Sequence, residues 1–254
     1  MHLTVLGSGT VAPSAERTAP AYWVETERVN LLLDCGAGTL HRAAAFGVSW
    51  PTVTHVAISH FHPDHWGELP MLFFALRYGT RPERSAPLTV IGPAGFRARL
   101  TLLAGALGDW VLDPGYPLEI REVHAGDRMD LSEGVALETC KTPHTGESLA
   151  YAVRDGTGRL VYTGDTGWSA DLARWALGCD LLLAECSLPD GEGITIHLTP
   201  SQAGTLARDA RARRLVLTHF YPQIEGTDPA AVAGRVFAGD VIAANDGERF
   251  AIGT

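Results

Sequence analysis

The stretch Ser59-His60-Phe61-His62-Pro63-Asp64-His65 constrains this chain more than any other. It puts three imidazoles and a carboxylate side by side, directly behind the apolar run 53–58. Neutral imidazole and carboxylate are the ligands that suit zinc and other first-row divalent metals. In extended backbone, positions two apart point to the same side, so His60 and His62 can share one ion. Pro63 lets the chain turn into a helix, which aims Asp64 and His65 at a point beside the first. Two neighbouring ions suit this layout better than one. Chance clustering in a polar loop accounts for one such histidine and not for the whole set at this spacing.

The surrounding chain is that of an ordinary globular protein. Its 254 residues are 46% hydrophobic and 19% charged, enough to bury a substantial core. No linker long enough to divide it interrupts the sequence, so residues 1–254 read as one domain. No apolar run approaches the roughly 20 residues that cross a bilayer. The opening residues read as a strand with no signal-peptide pattern, and the expected location is the cytoplasm. Cys35, Cys140, Cys179 and Cys186 form no Cys-x-x-Cys pair and sit in or beside apolar runs, where reduced cysteines pack. The net charge of −9 weakens the case for a polyanionic partner, which wants a basic face.

In order, strands are expected over 1–6, 21–26, 29–33 and 53–58, with a short helix over 39–46. A helix with a broad apolar face follows over 66–78, its Met71, Leu72, Phe73 and Phe74 assigned mainly to core packing. Then come a strand over 88–91, a helix over 96–107 and a loop over 108–117. Strands over 118–123, 135–140, 149–153 and 160–162 precede a helix over 170–177 and a buried strand over 181–184. Thr199 can cap a helix over 200–213 that has Pro200 in its first turn. A strand over 215–217, a helix near 229–237 and closing strands complete the chain. Strands alternate with helices through both halves, the pattern of a layered α/β fold. Gly7-Ser8-Gly9 would cradle a phosphate if a helix followed directly, but residues 11–17 read as a loop.

Further candidate ligands stand where strands end, the usual place for sites in layered folds. His144 lies in Thr142-Pro143-His144, Asp165 in Gly164-Asp165-Thr166 and His219 in Thr218-His219-Phe220. Together with the opening cluster they assign His60, His62 and His144 to one ion. Asp64, His65 and His219 are assigned to the second, with Asp165 bridging. Each of His144, His219 and Asp165 alone would pass as a structural residue; the set would not. Glu185 and His197 also lie at element ends, which favours a supporting or acid/base role. His2, His41, His55 and His124 have no such context.

In that order these motifs resemble the metallo-β-lactamase superfamily, and in detail its ribonuclease Z branch, over nearly the whole chain. Gly7-Ser8-Gly9-Thr10 with Pro13-Ser14 and Arg17 is similar to that branch's opening loop. Asp34-Cys35-Gly36, Gly67-Glu68-Leu69-Pro70 and Pro87-Leu88-Thr89-Val90-Ile91-Gly92-Pro93 are also similar. Ala184-Glu185-Cys186 and His197-Leu198-Thr199 are placed like the family's glutamate and histidine that assist proton transfer. The resemblance implies an αββα sandwich with the metals at one edge between the sheets. It also suggests a homodimer.

The departures bear on substrate. Members that process tRNA carry a long flexible arm between the positions matching His144 and Asp165; here these lie 21 positions apart, room for two strands and no arm. Ala15 and Thr18 stand where those enzymes tend to have a basic residue and asparagine, and Phe220-Tyr221-Pro222-Gln223 lacks their usual Ser and Arg-Tyr. The metal chemistry is untouched. The expected activity is therefore a phosphodiesterase acting on small or single-stranded substrates, with two divalent ions, zinc first and manganese or iron also suited. Ions about 3.5–4 Å apart would hold a bridging hydroxide as nucleophile, oriented by Asp64, and His197 held by Glu185 would protonate the leaving oxygen. The rivals are a tRNA 3′-processing endoribonuclease and a hydrolase of thioesters, lactones or sulfate esters, which the superfamily also permits. The superfamily's redox branch fits less well, since it tends to have Glu at the position of His62. A degenerate sensing module would have been free to lose some of the seven ligands.

Overall fold

Among the described residues, the apolar runs pair into two seven-stranded sheets. The structure, a computed structural model, describes residues 1–224 and 226–253. The first sheet holds β1 (His2–Gly7), β2 (Ala21–Glu25), β3 (Asn30–Leu33), β4 (His55–Ala57), β5 (Leu88–Pro93) and β6 (Leu118–Val123) side by side. The second holds β7 (Arg128–Ser132), β8 (Val135–Lys141), β9 (Leu149–Arg154), β10 (Arg159–Tyr162), β11 (Leu181–Glu185), β12 (Arg214–Thr218) and β13 (Asp240–Ala243). The last strand, β14 (Arg249–Ala251), returns to pair with β1. Strands β3 to β6 are parallel to one another, as are β10 to β13, and the others pair antiparallel.

Alternation along each strand divides its side chains between two layers. Leu31 and Leu33 of β3 face the second sheet while Leu32 faces outward; Leu181 and Leu183 of β11 face inward while Leu182 faces outward. The outward faces are apolar because helices cover them, as the run of buried leucines requires. Helices α1 (Thr39–Ala45), α2 (Pro63–Trp66), α3 (Leu69–Tyr78) and α4 (Phe96–Leu107) cover the first sheet, and α5 (Ala170–Trp175), α6 (Pro200–Asp209) and α7 (Pro229–Gly234) the second. The result is the αββα sandwich. Among the described residues no helix is long and apolar enough to cross a membrane, and the four cysteines are free.

Several boundaries differ from the sequence expectation. The helix expected over 66–78 is two pieces, because Cys35 takes over the backbone partners at the joint: Glu68 N–H donates to Cys35 O at 3.0 Å and Cys35 N–H to His65 O at 2.7 Å. The freed Glu68 carboxylate accepts from the Gly38 and Leu40 amides at the start of α1. Leu72 and Phe73 are buried as expected, whereas Met71 and Phe74 face solvent. The helix capped by Thr199, a full capping box with Gln202, stops at Asp209 because Arg211 adopts a left-handed conformation, φ +48°. The helices expected over 170–177 and near 229–237 end earlier, at Trp175 and Gly234. Strand β7 was not legible: its Met129 and Leu131 are too few to announce an edge strand.

Candidate metal centre

The parallel strands of both sheets end at one edge of the sandwich, and their ends carry the titratable residues. Beyond β4, Ile58 N–H still bonds to Ile91 O, after which the chain leaves the sheet with His62 extended and Pro63 opening α2. This exit presents His60 and His62 from the loop, and Asp64 and His65 from the helix. His144 follows β8, Asp165 follows β10, Glu185 closes β11 and His219 follows β12. Two features hold the crossing backbones close. A Cβ on Gly36 would sit 2.0 Å from Asp64 O, so only glycine lets the two loops meet. His219 takes φ +60° and Asp34, just after β3, φ +57°, a conformation costly for non-glycine residues and concentrated at functional sites.

All seven ligands expected from the sequence come together. His60, His62, His144 and Asp165 form one group whose candidate ligand atoms lie within 4.8 Å of one another, and Asp64, His65 and His219 form another. Asp165 stands between them. Its Oδ2 lies 3.8 Å from His60 Nε2 and 3.6 Å from His144 Nε2, while its Oδ1 lies 3.2 Å from His65 Nε2 and 3.3 Å from His219 Nε2. Asp64 Oδ2 is 3.7 Å from His219 Nε2. His62 approaches through Nδ1, 3.1 Å from His144 Nε2.

The far nitrogens of four rings are pinned by residues the sequence did not single out as part of the site. The Asp34 carboxylate accepts from His65 Nδ1 at 2.7 Å, and also from Ser59 N, Ser59 Oγ and Tyr162 Oη. Because the Ser59 hydroxyl donates to Asp34, it accepts from His60 Nδ1 at 3.0 Å. The Ser187 hydroxyl likewise donates to Glu185 at 2.5 Å and accepts from His219 Nδ1 at 2.9 Å. His144 Nδ1 donates to Ile196 O at 3.1 Å. Each bond puts the proton on Nδ1 and leaves the Nε2 lone pair facing the centre, the arrangement that carries metal-ligating histidines. For Asp34, a carboxylate directly after a strand was the signal available. Ser59 and Ser187 offered none.

The electrostatics suit a cation. Burial, together with the neighbouring His65, holds the His60 ring well below its ordinary pKa and so neutral. Burial alone would push Asp165 up, but His219, His65 and His60 hold it well below the usual carboxylate range. Burial would lower His65, yet Asp165 and Asp34 raise it; the same negative field would attract a divalent ion. His60 Nε2 and Asp165 Oδ1 are buried with no hydrogen-bond partner. Such orphans are costly, and one on each side of Asp165, His60 Nε2 in the first group and Oδ1 towards His65 and His219, fits a metal site.

Glu185 and His197 flank the cluster. His197 Nδ1 donates to Glu185 Oε1 at 2.9 Å, and Glu185 also accepts from Thr166 N and Leu198 N. Burial lowers the His197 pKa and the Glu185 carboxylate more than compensates, leaving it raised. The ring stacks on His219, centroids 5.8 Å apart, and lies tilted against His144 at 4.9 Å. The Gly7-Ser8-Gly9 turn does hold an anion, but the chain's own: Asp246 accepts from Ser8 N, Ser8 Oγ, Thr18 N and Thr18 Oγ at 2.7–3.2 Å. Ser8 O in turn accepts from Phe220 N at 2.9 Å, tying this loop to the residue after His219.

Comparison with known proteins agrees with this geometry. The family description "Beta-lactamase superfamily domain" matches residues 29–220. The protein ML1173 of Mycobacterium leprae is 32% identical over 258 residues, covering 99% of this chain and 89% of the relative. Ribonuclease Z of Haloferax volcanii is 27% identical over 309 residues, covering 99% and 95%. Among solved structures, the metallo-beta-lactamase fold protein YhfI from Bacillus subtilis superposes with a TM-score of 0.84 at 24% identity, covering 98% of each chain.

Proposed function

The chain belongs to the β-lactamase superfamily and is a metal-dependent hydrolase, and on that premise we propose that it is a two-metal phosphodiesterase for small or single-stranded phosphodiesters. The observation that carries the reading is the division of Asp165, whose two oxygens face different histidine sets. One set is His60, His62 and His144, the other Asp64, His65 and His219, and zinc suits both donor sets. Divalent ions held there supply Lewis acidity that offsets charge on phosphoryl oxygens and lowers the proton affinity of water.

The chain's own groups do the rest. The Asp64 carboxylate orients the attacking water by accepting its proton in a hydrogen bond. His197, with Nδ1 committed to Glu185, turns its other nitrogen to the leaving oxygen and delivers a proton there, a contribution of about 10²–10⁴-fold. Glu185 steadies the charge that the ring carries before that transfer. Buried Ser187 links this acid to His219 and keeps both rings in register.

A second reading, tRNA 3′-processing, draws support from relatives named ribonuclease Z. Against it stands the connection between β9 and β10, a turn over 155–158 with no arm. Thioester, lactone or sulfate ester hydrolysis has no feature of the site in its favour. The test is a panel on protein of defined metal content: bis-aryl phosphate, cyclic nucleotides, precursor tRNA, a thioester and a lactone. Turnover of the small phosphodiesters is expected; cleavage of precursor tRNA alone would favour the second reading, and no turnover of any phosphodiester would end the proposal.

A further inference from the structure

A pocket of about 300 Å³ opens beside Asp64, between the 10–18 loop and the start of α2. That volume is at the lower end of small-molecule pockets, ~300–1,000 Å³. Its walls are hydrocarbon: Val11, Ala12, Pro13, Ala19, Ala37 and Pro63. The polar side chains in the wall are engaged elsewhere. Thr18 Oγ bonds to Leu6 O and Asp246, Thr10 Oγ accepts from Ala12 N, and Ser14 Oγ accepts from Glu16 N and Arg17 N. Arg17 is the only cation among the lining residues, and its guanidinium is already engaged. Its guanidinium donates to Ser8 Oγ, Ala244 O and Asn245 Oδ1 and lies 4.7 Å over the Phe220 ring.

The pocket meets the centre at Asp64, and His197, which is not among its lining residues, meets the centre beside His144, Asp165 and His219. A phosphodiester whose leaving oxygen faces His197 therefore has its other substituent free to enter on the Asp64 side. We propose that this pocket receives that retained substituent and selects an uncharged, largely apolar ring there, an aryl group or a nucleoside base, over a group bearing a second phosphate. Apolar walls stabilise such a ring by burial, and an added phosphate would meet no free cation. The inference rests on the phosphodiesterase reading for its substrate and on the pocket alone for its selectivity.

Three esters of 4-nitrophenyl phosphate test it: methyl, phenyl and thymidine 5′-yl, which share a leaving group and differ in the retained substituent. In the metal-loaded protein, kcat/KM for the phenyl or thymidine ester should exceed that for the methyl ester roughly 10–100-fold. The larger of the two identifies the ring class. Ala37→Trp, at an exposed wall position, should bring that ratio towards one, and Val11→Asp at the exposed lip should lower it. Equal rates for all three esters, or a ratio that both variants leave intact, would overturn the proposal. Calorimetric binding of phenyl phosphate against methyl phosphate reads the pocket without any turnover. A phenyl preference abolished by Ala37→Trp sustains the pocket even if no diester is cleaved, and equal binding removes it.

Discussion

The Asp34 carboxylate accepts a hydrogen bond from His65 Nδ1 at 2.7 Å, and that bond decides which nitrogen of His65 faces Asp165. Asp34 is fully buried and takes three further donors from Ser59 and Tyr162. Asp34→Asn keeps volume and tolerates the left-handed backbone, so it isolates the carboxylate. It should weaken metal binding ~10–100-fold and, by leaving donors unpaired, cost about 1–3 kcal/mol. Competition with a chromogenic chelator reads the first and denaturant unfolding the second; unchanged metal affinity would show that the bond does not orient the ligand.

The split of ligands across Asp165 has a stoichiometric consequence. His219→Ala removes one ring from the Asp64 and His65 set and touches neither His60, His62 nor His144. Metal analysis after dialysis should fall from two ions per chain towards one. Two retained ions would mean that His219 is not a ligand.

His197 contributes a proton in the proposed chemistry and no bond to metal. His197→Ala should keep full metal content and lose about 10²–10⁴-fold in kcat on an alkyl leaving group, with a much smaller loss on 4-nitrophenolate. An equal loss on both leaving groups would point to a positional role instead.

Removing metal should destabilise the fold, because His60 Nε2 and Asp165 Oδ1 then remain buried without partners. At about 1,000 times Kd, a bound ion adds ~4 kcal/mol. For a chain of this size that corresponds to roughly 8–16 °C in Tm. Calorimetry before and after chelation measures it, and coincident melting curves would argue against tight binding.

His55 offers a pH handle remote from the proposed ligands. Burial and the Arg121 guanidinium lower its pKa from 6.5 to about 4, so the folded state excludes a proton that the unfolded chain accepts. Its contribution to stability is complete above about 6.5 and is lost as pH falls from there towards 4. An NMR titration should place the His55 midpoint near 4, and wild type should lose more stability than His55→Gln between pH 7.5 and 4.5. A midpoint near 6.5 would remove the effect.

Local spacing determined the heart of this protein. His60 to His65 come from one loop and the helix it opens, so two-residue alternation and a helix start were enough to group them. The alternation of buried strands and helices likewise announced a layered fold, since burial on both faces leaves a pattern in sequence. His144, Asp165 and His219 could be placed at strand ends, but only the pairing of β8, β10 and β12 in one sheet brings them to one point. What the tertiary structure alone decided is orientation. That Asp165 turns one oxygen to each histidine set, and that Asp34, Ser59 and Ser187 fix the ring nitrogens, depends on side-chain rotations set by neighbours from distant strands. The break at Gly67 has the same origin: Cys35, some thirty positions earlier, captures the backbone groups that a continuous helix would have used.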